Sequence, residues 1–144
     1  MRISTRGRYG IRILIDLAEH IDEDHTALAS VAERQGISLR YLEQLVVLLK
    51  HAGLVRSVKG ASGGYTLARP PGEIILGDIL RTLEGDMLVA DPPAPGVEES
   101  KLQRCIRIMV YDKLNAGIAE LIDNRTLASV MDTAGSNGPD MYFI

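Results

Sequence analysis

The amino-acid pattern predicts a mainly α fold with a small β-wing, organised as a winged helix-turn-helix domain followed by a long dimerisation helix. Three observations carry that expectation. Gly36 separates two amphipathic stretches, and Gly60, Gly63 and Gly64 divide two short strand-like runs. From Leu102 to Leu121, aliphatic residues recur mostly in steps of four.

The first helix is expected from Arg8 to Ile21, with Ile11, Leu14, Ala18 and Ile21 turned inward and Arg12, Asp16 and Glu19 facing water. After a polar connection at Asp22 to His25, Thr26 or Ala27 opens a second helix that buries Leu28, Val31 and Ala32. Gly36 closes it, because glycine takes the left-handed conformation without steric cost, and Ser38 can cap the next helix. Along Leu39 to Ala52, Leu42, Leu45, Val46 and Leu49 form the inner stripe while Arg40, Glu43, Gln44 and Val47 point outward. Gly53 stops that helix, Val55 to Val58 and Tyr65 to Leu67 read as strands, and the glycines between them make the turn of a wing.

Beyond the wing, Pro70 and Pro71 break the chain and Ile75 to Glu84 forms a short helix ended by Gly85. Pro92, Pro93, Pro95 and Gly96 make Asp86 to Val97 a loop that separates the reading domain from the coupling helix. In the long helix the dimerisation residues are Leu102, Ile106, Met109, Val110, Leu114, Ile118 and Leu121, with Ile122 widening the stripe. An apolar face of that length needs a partner: a second copy of the chain, or the chain's own domain if the helix folds back. A short helix at Thr126 to Met131 and a flexible polar stretch at Gly135 to Asp140 lead to the apolar end Met141, Tyr142, Phe143 and Ile144. The expected organisation is therefore 1–85 reading domain, 86–97 loop, 98–132 dimerisation and terminal helices, and 133–144 flexible tail.

At 144 residues and 46% hydrophobic content, the chain suits one compact domain with an appendage, and no apolar run approaches the roughly 20 residues of a membrane span. Met1 leads directly into a Ser/Thr and Arg motif, and the lone Cys105 has no internal disulfide partner, so a cytoplasmic setting is expected. The net charge of -3 conceals an asymmetry. Residues 1–69 hold ten Lys/Arg against seven Asp/Glu, 10 − 7 = +3, whereas 70–144 hold six against twelve, 6 − 12 = −6. The half with the helix-turn-helix is the basic half.

The polar side chains of the Leu39 helix suit base edges or a phosphate. Gln44 can pair two-pronged with adenine, Arg40 can do so with guanine, and Glu43 can accept from cytosine. Tyr41 suits a phosphate, Ser38 sits where the helix meets the duplex, and Arg56 and Lys59 on the wing can reach phosphates or a narrow minor groove. A two-fold homodimer would set both recognition helices about 34 Å apart on a palindromic double-stranded DNA operator.

Enzymatic function finds little support. His20, His25 and His51 lack cysteine or carboxylate partners at metal spacing. The wing glycines lack the Lys-Ser/Thr ending of a phosphate loop, and Ser62 has no general base nearby in sequence.

Four segments in one order, MRISTRGRYG at Met1 to Gly10, ISLRYLEQLV at Ile37 to Val46, VKGASGGYTLA at Val58 to Ala68 and GDILRTLEG at Gly77 to Gly85, resemble the Rrf2 winged-helix regulators. The likeness is strong over residues 1–85 and looser along the following helix. It implies that Arg2, Ser4, Thr5 and Arg8 contact the DNA backbone, and it favours the homodimer over a folded-back helix.

Many members of that family hold a two-iron two-sulfur cluster on three closely spaced cysteines. Here only Cys105 stands in that region, and Asp91 to Ala94 and Glu98 to Glu99 occupy the places where other thiolates would be expected. No metal and no cofactor are therefore expected. Two alternatives stay open: a cluster using Cys105, Glu98 or Glu99 and a histidine such as His51, or Cys105 as a redox switch rather than a small packed hydrophobe.

The tail Met141 to Ile144 resembles the end of the family branch that represses genes of cysteine uptake and synthesis. That likeness implies cysteine synthase (O-acetylserine thiol-lyase) as a partner capturing the tail in its substrate site, against the plainer reading of a frayed or folded-back end. A winged-helix protein-interaction module without DNA binding is the alternative to the whole account.

Overall fold

The computed structural model describes residues 1–60 and 63–137, with the side chains of residues 136 and 137 outside that description. In chain order come α1 (Thr5–Glu19), α2 (Leu28–Gln35), α3 (Leu39–His51), β1 (Val55–Val58), β2 (Gly64–Leu67), a 3-10 turn (Pro71–Glu73) and α4 (Leu76–Glu84). A long helix follows as α5 (Lys101–Ile106), a π-helical turn (Arg107–Tyr111) and α6 (Asp112–Asp123), and α7 (Leu127–Asn137) comes last.

α1 starts earlier than its apolar spacing suggests because a distant carboxylate satisfies its first amides. Glu84 Oε1, at the end of α4, accepts from the Ser4 and Gly7 amides, each at 2.9 Å, and from the Ser4 hydroxyl at 2.6 Å. Gly7 and Gly10 permit the approach, since a Cβ at either position would strike the Glu84 or Leu83 side chain. The inner stripe also differs from expectation. Ile13, Leu14 and Leu17 are buried, Ile11 is half-buried, and Ile21 is exposed past the end of the helix. Asp16 is buried rather than facing water, because Arg34 and Gln35 from α2 hydrogen-bond its carboxylate.

Gly36 ends α2 with φ 64°, in the left-handed region, and the Ile37 amide returns to the Ala32 carbonyl at 3.0 Å. One residue later the Ser38 hydroxyl accepts from the Tyr41 amide at 3.2 Å and caps α3. The wing is antiparallel, with Val55 opposite Leu67 and Val58 opposite Gly64. Thr26 and Tyr65 exchange two backbone hydrogen bonds of 2.9 Å, so the segment before α2 lies against the wing. A Cβ at Gly64 would collide with the Thr26 carbonyl, which is why glycine stands there.

Loop 86–97 does not detach the long helix from the reading domain. Met87 is buried with Leu80 and Ile122, and the Asn115 amide clamps the loop backbone at Val89 and Ala90 through bonds of 2.8 and 3.1 Å. Arg81 on α4 pairs with Asp123 on α6 at 2.6 and 2.9 Å. The chain then adds a bridge between Ile75 and Thr126 and places Leu127, fully buried, in the same core as α1 and α3. Ile122 and Ile118 pack on this chain, so they leave the outward stripe. α7 continues to Asn137, making Gly135 to Asn137 helical where a flexible stretch was expected. Met141, Tyr142, Phe143 and Ile144 lie outside the described residues.

Candidate nucleic-acid interface

The inner face of α3 is held by Leu42, Leu45, Val46 and Leu49, all buried. The two helices before it are tied together by polar contacts. Arg34 on α2 grips Asp16 with two hydrogen bonds, 3.0 and 2.7 Å, and Gln35 adds a third at 2.8 Å. Burial by itself would push the Asp16 carboxyl up, but these bonds and the Arg34 and His20 charges outweigh it and hold the group below the usual carboxylate range. Arg12 continues the network to the Gln35 carbonyl and lies over the Tyr9 ring, 5.0 Å from its centre. Tyr9 in turn meets Tyr41 of α3 edge-on, with ring centres 6.0 Å apart. The first three helices are thus joined by a chain of contacts as well as by their core.

On the opposite face of α3, Arg40, Glu43 and Gln44 are exposed, while Tyr41 is half-buried by its ring contact. Ser38 contributes the cap. Arg56 is exposed across the wing from Thr66, which is buried, and Lys59 is exposed beyond the end of β1. Among the described residues, Arg40, Glu43, Gln44, Arg56 and Lys59 make no side-chain hydrogen bond or ion pair.

At the start of α1, Arg2, Ser4, Thr5 and Arg8 line a shallow cavity of about 300 Å³ together with Ile3. Arg8 donates to the Thr5 hydroxyl at 3.1 Å. The Ser4 hydroxyl donates its hydrogen bond to Glu84, which leaves its oxygen able to accept but not to donate toward a phosphate. Burial would raise the Glu84 carboxyl, but the Ser4 hydroxyl, the Gly7 and Ser4 amides and the Arg6 charge together lower it. The candidate residues therefore form three groups, on the α1 start, on α3 and on the wing, connected through one core.

Sequence reasoning missed Asp16, Arg34 and Glu84. Asp16 had a signal: it lies three residues after Ile13 and beside Leu17, on the inner side of the helix. Glu84 had none, because its partners are 77 and 80 residues away.

Cys105 is exposed on α5, so the expectation of a packed hydrophobe does not hold for the single chain. Nearby, Glu99 is engaged by Arg107 at 2.8 Å through two nitrogens, and Arg107 also reaches Asp112 at 3.0 Å. The Arg107 guanidinium, beside Glu99, lowers that carboxyl.

A glycine-turned helix pair, a wing and a free polar face on the second helix define the class: a winged helix-turn-helix transcriptional regulator. More particularly, the chain belongs to the Rrf2 family, whose model, described as an iron-dependent transcriptional regulator, matches residues 3–133. It is similar to the HTH-type transcriptional regulator CymR of Bacillus subtilis strain 168, with 39% identity over 145 residues and all of both chains covered. Among solved structures, T. potens IscR shares 40% identity at a TM-score of 0.78, covering 99% of this chain and 95% of that one. The structure of CymR, the global cysteine regulator of B. subtilis, shares 40% identity at a TM-score of 0.72, covering 92% of this chain and 97% of that one. These relatives are regulators, and the chain is not an enzyme.

The residues present do not fit an iron centre. Among the described residues no group of three His, Cys, Asp or Glu is placed to hold a metal, and the sequence supplies one thiol where such centres need several soft donors. Glu99, one of the alternative ligands, is already bound to Arg107. Among the described residues, no helix is long and apolar enough to cross a membrane.

Proposed function

We propose that the chain acts as a homodimeric repressor that binds a palindromic duplex operator through α3, the wing and the α1 start, and that it governs genes of cysteine and sulfur metabolism. One observation carries the DNA-binding part: α3 buries one face completely while Arg40, Glu43 and Gln44 stand unengaged on the other. The unengaged wing cations Arg56 and Lys59 support it. A homodimer is supported by Leu102, Ile106, Met109, Val110, Leu114 and Leu121, which leave a continuous apolar face exposed on the long helix. Metabolic assignment rests on the full-length likeness to CymR.

Fluorescence anisotropy on a palindromic duplex tests this reading. Binding should fall steeply with salt and be lost in the Gln44→Ala, Lys59→Ala double variant. Salt-independent binding, or an unaffected double variant, overturns it. As a second tier, cysteine synthase is the proposed partner through Met141 to Ile144. Removing those four residues should abolish co-purification of the two proteins and leave dimerisation intact, and unchanged co-purification discards the partner.

A further inference from the structure

Val47 is the most exposed of three apolar side chains on the outer side of α3, where Leu39 is 42% and Leu48 38% exposed. It is 50% exposed, whereas its neighbours Val46 and Leu49 on the inner face are fully buried. Glu43 and Gln44 lie one turn before it, at i−4 and i−3, so the three side chains share one face of α3. Helix propensity does not explain a β-branched residue at a solvent-facing position, because straight-chain and polar residues serve better there. Burial within this chain does not explain it either, since Val47 lies outside both hydrophobic clusters.

Resting on the DNA-binding reading above, we propose that Val47 is a specificity-determining residue that packs against the C5-methyl group of a thymine in the major groove. Apolar side chains read thymine by that methyl, which no other unmodified base presents. Helical geometry fixes the register. Val47 is three residues beyond Gln44, a rise of about 4.5 Å along α3, and successive base pairs are about 3.4 Å apart. With α3 laid along the major groove, the thymine is expected one or two base pairs from the adenine assigned to Gln44.

The experiment uses the full chain and a palindromic duplex that it selects from a random pool. Each thymine of one half-site is replaced in turn by deoxyuridine, which removes the methyl and keeps every hydrogen-bonding group. One replacement, one or two base pairs from the Gln44-dependent adenine, should weaken binding about fourfold, the worth of one buried methyl. Val47→Ala should weaken the parent duplex and make that replacement neutral, while Gln44→Ala keeps the penalty. Uniform indifference to deoxyuridine, a penalty that persists in Val47→Ala, or a selected half-site with no thymine at that spacing overturns the inference while DNA binding stands. A chain that selects no duplex at all overturns the DNA-binding reading and this inference with it.

Discussion

Replacing Asp16 with asparagine should cost far more than a change of one oxygen suggests. The carboxylate is 1% exposed and accepts three hydrogen bonds, two from Arg34 and one from Gln35. An amide keeps the volume but turns a donor toward a guanidinium. Breaking a buried pair costs about 3–5 kcal/mol. The Arg34 side chain is 38% exposed, so its charge stays partly hydrated and the lower end, about 3 kcal/mol, applies.

That loss corresponds to a fall in Tm of roughly 10 °C for a chain of this size, measured by thermal melts at one protomer concentration. The pH dependence has a defined sign. Because the folded-state pKa of Asp16 lies below its unfolded value of about 3.9, the pair stabilises the protein fully above that value. Its contribution disappears as pH falls through the folded-state pKa. Wild type and Asp16→Asn should therefore converge in acid, and Glu19→Gln on the exposed side of the same helix should melt like wild type. A neutral-pH loss below about 1 kcal/mol, the level of an exposed pair, would refute the argument.

Leu127→Ala should cost about 2–5 kcal/mol by denaturant titration, because a fully buried leucine leaves a cavity; a loss under about 1 kcal/mol would show that α7 does not close the core. Glu84→Ala removes the acceptor for the Ser4 and Gly7 amides and should cost about 1–2 kcal/mol in thermal stability. It should also weaken anisotropy-measured operator binding by displacing Arg2, Thr5 and Arg8. With Arg2, Arg8, Arg56 and Lys59 on phosphates in both protomers, about eight contacts give a slope of log K against log salt near −7, and Lys59→Ala should reduce its magnitude by about 2.

Local signals gave the reading domain. Gly36, Ser38 and Gly53 bound α3 to within a residue, the hairpin matches its expected strands, and the inner stripe of α3 is the one its spacing implies. Such features depend on neighbours in sequence, where capping and periodicity act. What stayed hidden depends on distant partners. Asp16 belongs inside only because Arg34 and Gln35 arrive from α2, Glu84 caps a helix 80 residues away, and Leu127 joins a core formed mainly by residues before position 84. The π-turn at Arg107–Tyr111 was equally concealed, since an apolar stripe in steps of four reads as an ordinary helix.

The return of the long helix has a mechanical consequence for the proposed dimer. Had residues 86–97 been a slack linker, two reading domains joined only by their long helices would sample many spacings, and a palindrome of fixed pitch would bind with an entropic penalty. Instead Asn115 clamps the loop, Arg81 pairs with Asp123, and Leu127 sits in the core against which α3 packs. Any rotation of α6 is therefore transmitted to α4 and to the shared core through packed side chains rather than absorbed by the loop. The apolar face that would meet the second copy and the polar face that would meet DNA thus belong to one packed unit. A change in how two copies pack is then also a change in the distance between their α3 helices, which gives such a repressor a route from partner binding to operator affinity.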